Sequence, residues 1–262
     1  MSRLCPLFSS SKGNSIYISG GSTALLVDAG VSYKRLCNAM QARNLPMEDL
    51  QGILITHEHS DHIMGLEVLL KRLDIPVYAS RETLEYLCAS GKIPSGRTLV
   101  DCAGTFTIGD IEVTAFDTPH DAVHSLGFRF SMPDERVIGV ATDLGHISGT
   151  VEHHLTGCDL ILLESNYDQR MLEFGPYPYP LKRRIRSSTG HLSNDDCSET
   201  ISRLIRSGST YFVLGHLSEQ NNLPEIAYQT SSQKLAEQSM RERLDYILHV
   251  APAQGPGEVM AF

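Results

Sequence analysis

The 262-residue chain carries 22 lysines and arginines against 31 aspartates and glutamates, a formal charge of −9. That balance excludes a protein that coats nucleic acid by bulk electrostatics, so any polyanion has to be gripped locally. With 41% hydrophobic and 20% charged residues, and no apolar run near the roughly 18 residues a spanning helix needs, the composition is that of a water-soluble protein with no membrane partner. The start, Met1-Ser2-Arg3-Leu4-Cys5-Pro6, shows no secretion leader, and the expected compartment is cytoplasmic. Apolar, β-rich segments then predict strands at 16–19, 24–28, 53–56, 77–79, 111–116, 126–131, 137–142, 160–164, 211–215 and 246–251. Helical spacing appears at Leu66, Leu69, Leu70 and Leu73, and at Cys197, Ile201, Leu204 and Ile205, the latter with Ser193 as N-cap and Gly208 as stop. A further helix is expected from Pro224 towards Glu242. Paired strands first and mixed strands and helices later favour a sandwich of sheets flanked by helices over a doubly wound sheet, in one domain spanning 1–262. The six cysteines, Cys5, Cys37, Cys88, Cys102, Cys158 and Cys197, lie too far apart for a zinc knuckle or redox pair and read as buried reduced thiols.

The densest chemistry is THEHSDH, residues 56–62, directly after the strand at 53–56. Residues two apart on extended chain share a face, so His57 and His59 converge on one point. Asp61 and His62 fall where the next helix begins and turn towards a second point nearby. Imidazoles crowded beside a carboxylate are best balanced by divalent cations, and this spacing suits two.

H-x-H-x-D-H after a strand resembles the metal motif of the metallo-β-lactamase fold, which implies an αββα four-layer sandwich. The resemblance also implies later ligands on three further loops, matched by His120 in DTPHDA, Asp143 in ATDLG and His216 in LGHLSEQNN. His57, His59 and His120 would hold one metal, Asp61, His62 and His216 the other, with Asp143 bridging and Asp28 of LLVDAG supporting the site by hydrogen bonding. His124 is the main rival to His120; His146, His153, His154 and His249 match no ligand position. Related di-iron redox proteins carry a carboxylate where His59 stands, so the imidazole there points to hydrolysis by a water activated between two metals. Imidazole and carboxylate ligands suit zinc, manganese or iron.

The metals do not say which bond is cut. FSSSKGNS, ESNYDQRML, GHLSN and LGHLSEQNN, in this order, resemble the YycJ/WalJ branch of the fold, which implies a 5′→3′ DNA exonuclease. A DNA substrate also fits YPYPLKRRIR, where Lys182, Arg183, Arg184 and Arg186 stand beside Tyr177 and Tyr179; a solvated basic helix face is the plainer reading. His191, ahead of the helix near Ser193, is placed to orient a phosphate or protonate the leaving oxygen, and is counted with Asp61 and Asp143 as catalytic. Ser9, Ser11, Lys12 and Asn14 are candidates to cradle a terminal phosphate, with Asn166 and Asp168 as supporting groups. Ser10 and Tyr167 depart from the glycine and histidine expected by resemblance. Two rival readings stay open: a small-molecule, for example cyclic, phosphodiesterase on the same metals, and a non-catalytic regulatory module.

Overall fold

In the computed structural model, which describes residues 1–261, the chain opens with β1 (Arg3–Ser10), β2 (Gly13–Gly20) and β3 (Thr23–Val27), followed by α1 (Tyr33–Ala42) and β4 (Leu50–Leu54). Next come α2 (Ser60–Ile63), α3 (Leu66–Arg72), β5 (Val77–Ala79), α4 (Arg81–Ala89) and β6 (Leu99–Asp101). The meander β7 (Thr105–Ile108), β8 (Ile111–Asp117), β9 (Leu126–Ser131) and β10 (Val137–Ala141) leads into α5 (Gly149–Leu155) and β11 (Leu160–Glu164). The remainder is α6 (Gln169–Phe174), α7 (Tyr179–Ile185), α8 (Asn194–Arg206), β12 (Tyr211–Gly215), α9 (Pro224–Glu237), β13 (Ile247–Val250) and β14 (Met260–Ala261).

The strands form two seven-stranded sheets, ordered β14-β1-β2-β3-β4-β5-β6 and β13-β12-β11-β10-β9-β8-β7. Each is mixed: β3 to β6 and β10 to β13 run parallel, and the other neighbours run antiparallel. Side-chain alternation explains the layers. Along β11, Leu160 and Leu162 enter the core between the sheets, while Ile161 and Leu163 meet Val151, Leu155, Ile201 and Leu204 of α5 and α8. On the first sheet Leu25 and Val27 face inward, and Leu26 packs with Leu36 of α1 and the leucines of α3. Strands covered on both faces read as unbroken apolar runs, which is why the central ones stand out in the sequence. The architecture is an α/β sandwich of helices, sheet, sheet and helices.

The expected ten strands become fourteen among the described residues. Three of the additions, β6, β7 and β14, are short, and the fourth, β1, ends in the polar Ser9-Ser10, so FSSSKGNS forms the tip of a hairpin in which Ser9 and Ser10 pair with Asn14 and Gly13 of β2. The last predicted helix stops at Glu237, five residues early, and Ser193 caps α8 as expected, its side chain accepting from the Asp196 amide. Cys5, Cys102, Cys158 and Cys197 are buried free thiols, whereas Cys88 is exposed and Cys37 half-buried. No helix among the described residues is long and apolar enough to cross a membrane.

Candidate metal centre

The ends of β3, β4, β10, β11 and β12 open on one edge of the sandwich, the place where parallel strands present their carboxyl ends. Three residues just past those ends have left-handed backbone: Asp28 (φ 62°), Asp143 (φ 58°) and His216 (φ 53°). Such φ values are uncommon outside glycine and persist only where neighbours hold them. Asp28 is held by its amide on the Leu54 carbonyl (2.8 Å) and its carbonyl under Ser15 Oγ (2.9 Å). His216 is held at both ends, its amide donating to Ser9 Oγ (2.8 Å) and its carbonyl accepting from Asn166 Nδ2 (2.8 Å). Gly30 lets the motif close, since a Cβ there would lie 1.7 Å from the Asp61 carbonyl oxygen.

The sequence-predicted ligands meet at this edge. His57, His59 and His120 form one group whose ligand atoms lie within 4.8 Å of each other; Asp61, His62 and His216 form a second, and Asp143 joins a third with His57 and His62. Asp143 Oδ2 sits 2.7 Å from His216 Nδ1 and 3.2 Å from His62 Nε2, and its Oδ1 is 3.7 Å from His120 Nε2. The two triads therefore flank one carboxylate.

The outer ring nitrogens are tied down. His62 Nδ1 donates to Asp28 Oδ2 (2.8 Å), and Asp28 also accepts from the Thr56 amide (2.8 Å) and Thr56 Oγ1 (2.9 Å). His120 Nδ1 donates to the Gly190 carbonyl (3.0 Å), and His57 Nδ1 is 3.0 Å from Thr56 Oγ1. By contrast, His57 Nε2 and His216 Nε2 are buried without a hydrogen-bond partner, and His216 Nδ1 and Asp143 Oδ2 meet each other only as an ion pair, outside hydrogen-bond geometry. Buried polar atoms are almost always satisfied, so a set of orphaned nitrogen and oxygen donors aimed at one space fits divalent cations.

Electrostatics agree. Burial alone would lower the His62 pKa, but Asp143, Asp28 and Asp61 outweigh it and hold the imidazole well above its usual value. Burial would raise Asp143, yet His216 and His62 pull it well below the usual carboxylate range. His57 is driven well below its normal value by burial and by His62, which outweigh the opposing pull of Asp143. The carboxylates around His62 thus favour positive charge within the cluster, which a bound cation would supply.

Glu164, which the sequence reading passed over, is fully buried at the end of β11. Its Oε1 accepts from His191 Nδ1 (2.8 Å), and its Oε2 accepts from the amides of Leu144 (2.8 Å) and Leu192 (3.3 Å), tying the Asp143 and His191 loops together. Burial would lower His191, but Glu164 and Asp143 raise it to about 9. The signal was a charged residue closing the apolar run Leu160–Leu163.

Other candidates lie elsewhere. Ser9 is buried and occupied by the His216 amide, and Asn166 by the His216 carbonyl, so both position a ligand and neither is free for substrate. Ser11 is exposed on the hairpin turn, and Lys12 Nζ pairs with Glu219 beside a cavity of about 210 Å³ that Arg35 also lines. Asn14 Nδ2 instead approaches His62 Nε2 (3.1 Å). Asp168 caps α6 through the Met171 amide (2.8 Å). His124, the rival to His120, is held by Asp117 (2.8 Å) and Glu82 (3.0 Å), outside both triads. Arg184 makes a two-pronged pair with Asp121 (2.5 and 3.0 Å), whose Oδ1 is 3.5 Å from His120 Nε2. Lys182 Nζ donates to the Glu173 carbonyl (2.7 Å), and Arg183 makes no hydrogen bond or ion pair among the described residues.

Residues 23–216 match the family model described as a beta-lactamase superfamily domain. A protein named exodeoxyribonuclease YycJ from Bacillus anthracis is 36% identical over 257 residues, 97% of this chain and 96% of that one. Exodeoxyribonuclease WalJ from Streptococcus pneumoniae is 38% identical over 244 residues, 92% and 90% of the two chains. The solved structure of the metallo-β-lactamase fold protein YhfI from Bacillus subtilis superposes with a TM-score of 0.74 at 15% identity, covering 98% of this chain and all of that one, which bears on the fold alone. With that fold, the matching family model and near-full-length relatives above 30% identity, the chain belongs to the beta-lactamase superfamily, in its YycJ/WalJ-like family of metal-dependent hydrolases.

Proposed function

We propose that this hydrolase is a dinuclear-metal phosphodiesterase acting as a 5′→3′ DNA exonuclease, with zinc, manganese or iron as its metals. The observation that carries the dinuclear reading is the pair of triads on either side of Asp143, with His57 Nε2 and His216 Nε2 buried without a hydrogen-bond partner. In this reading His57, His59 and His120 would hold one cation, and Asp61, His62 and His216 the other. Two such cations lower the pKa of a water and neutralise a phosphate's oxygens.

The chain's own groups supply the rest. Asp28 and the Gly190 carbonyl fix the tautomers of His62 and His120, keeping each Nε2 turned inward. Glu164 holds His191 in its protonated form, so that its ring can meet the leaving oxygen or a phosphate oxygen with a proton. DNA as substrate rests on the two exodeoxyribonuclease relatives and on the basic segment of α7. Lys12 remains the candidate for reading a terminal phosphate, which would have to draw it away from Glu219.

The test is a digestion time course of linear DNA labelled at either end. Mononucleotides should be released from the 5′ end in the presence of manganese, none from closed circular DNA, and none after chelation or in His59→Ala. Hydrolysis of small model diesters with no attack on DNA would overturn the exonuclease reading, and a His59→Ala variant with full activity would overturn the metal mechanism.

A further inference from the structure

The α6–α7 excursion carries a surface that the metal centre does not use. Tyr167, Leu172 and Ile185, with Tyr177 and Leu181, form a small satellite core that anchors the two helices. Outside it, Tyr179, Lys182, Arg183 and Arg186 recur at i, i+3, i+4 and i+7, one face of α7 and its C-cap. With Glu173 and Ser187 they line an open cavity of about 570 Å³. Tyr179 is 77% exposed and Phe174 at the end of α6 is 81% exposed. Pro178 and Pro180 flank Tyr179 and restrict its backbone, so the ring is presented to solvent at little entropic cost.

We infer that this ledge is a docking platform for single-stranded nucleic acid, holding the part of the strand that flanks the bond being cut. Three cations against one carboxylate, on a chain whose net charge is −9, make it a local exception that attracts polyanions. Charge alone would equally suit an acidic peptide; the solvent-facing ring of Tyr179 among the cations favours bases, which stack on it whatever the sequence. The ledge is tied to the metal centre through α7. Arg184, on the other side of α7, reaches Asp121 beside His120, and the His191 amide bonds to the Ile185 carbonyl (2.9 Å).

The inference rests on the phosphodiesterase reading for its purpose, but its test needs no turnover. Fluorescence anisotropy of a labelled 12-nucleotide DNA strand, in chelator, is compared with an abasic strand of equal charge, for the full chain and for Tyr179→Ala, Arg183→Glu and the control Arg241→Glu. The base-bearing strand should bind more tightly to the wild type, and Tyr179→Ala should weaken it about tenfold while leaving the abasic strand nearly unaffected. Arg183→Glu should weaken both strands and reduce the salt slope by about 0.7, one phosphate contact; Arg241→Glu should change neither. In turnover, the ratio of kcat/KM for the 12-mer to that for a small diester should fall about tenfold in the ledge variants. Equal binding of the two strands by wild type, or variants that bind like wild type, would overturn the ledge. A wild type that binds the strand with these sensitivities and cleaves no diester would leave the ledge standing and remove the proposed reaction.

Discussion

Glu164 shows how one buried carboxylate can set both geometry and protonation. It spans the Asp143 and His191 loops through three hydrogen bonds and raises His191 to about 9. If the protonated imidazole is the form that acts, the wild type should keep its activity as pH rises until about 9. Glu164→Gln removes the charge that raises His191, so its alkaline limb should move down towards the ordinary imidazole value, about 6.5. A pH–rate profile of both proteins checks this, and an unshifted alkaline limb would show that His191 is not the proton carrier. The same residue marks a limit of the sequence. His57, His59, Asp61 and His62 announce themselves by spacing, while Glu164 and Asn166 gain their roles only when β11 is laid beside β10 and β12. Ser9 reads as a phosphate-cradling candidate in the sequence, and the hairpin instead carries it under the His216 amide.

At the scale of elements, apolar runs revealed the strands that both cores cover, β3, β4, β10, β11 and β12. Edge strands such as β6 and β7 expose most of their residues and lack that pattern. Of the β1–β2 hairpin only the second strand was expected, at 16–19; its polar tip carries Ser9, which serves the neighbouring sheet as a hydrogen-bond partner. His124 illustrates a tie between elements. It joins Glu82 of α4 to Asp117 at the end of β8, and the hydrogen bond to Asp117 raises its pKa despite partial burial, with Glu82 assisting. A folded pKa above the unfolded value gives stability that is complete below about 6.5 and is lost as pH rises through the folded value. His124→Gln should therefore lower Tm most in mildly acidic buffer, by a modest amount because the pair is part-exposed, with the gap closing in alkali. A gap independent of pH would assign the loss to packing instead.

For the whole molecule, the four layers bring loops from both sheets to one edge, and every candidate ligand stands on a segment leaving the end of a strand or opening α2. The layered class was legible from strand and helix order. The convergence of Asp143 and His216 on the THEHSDH cluster followed from family resemblance, because contacts between residues more than 70 positions apart leave no trace in local periodicity. Everything proposed for the reaction depends on two cations being held there together. The direct measurement is metal content by mass spectrometry after loading with zinc or manganese and exhaustive dialysis, for the wild type and Asp143→Ala. About two ions per chain in the wild type, and a substantial loss in Asp143→Ala, is the predicted result. A wild type retaining one ion or none, or an Asp143→Ala variant that still holds the full complement, would contradict it.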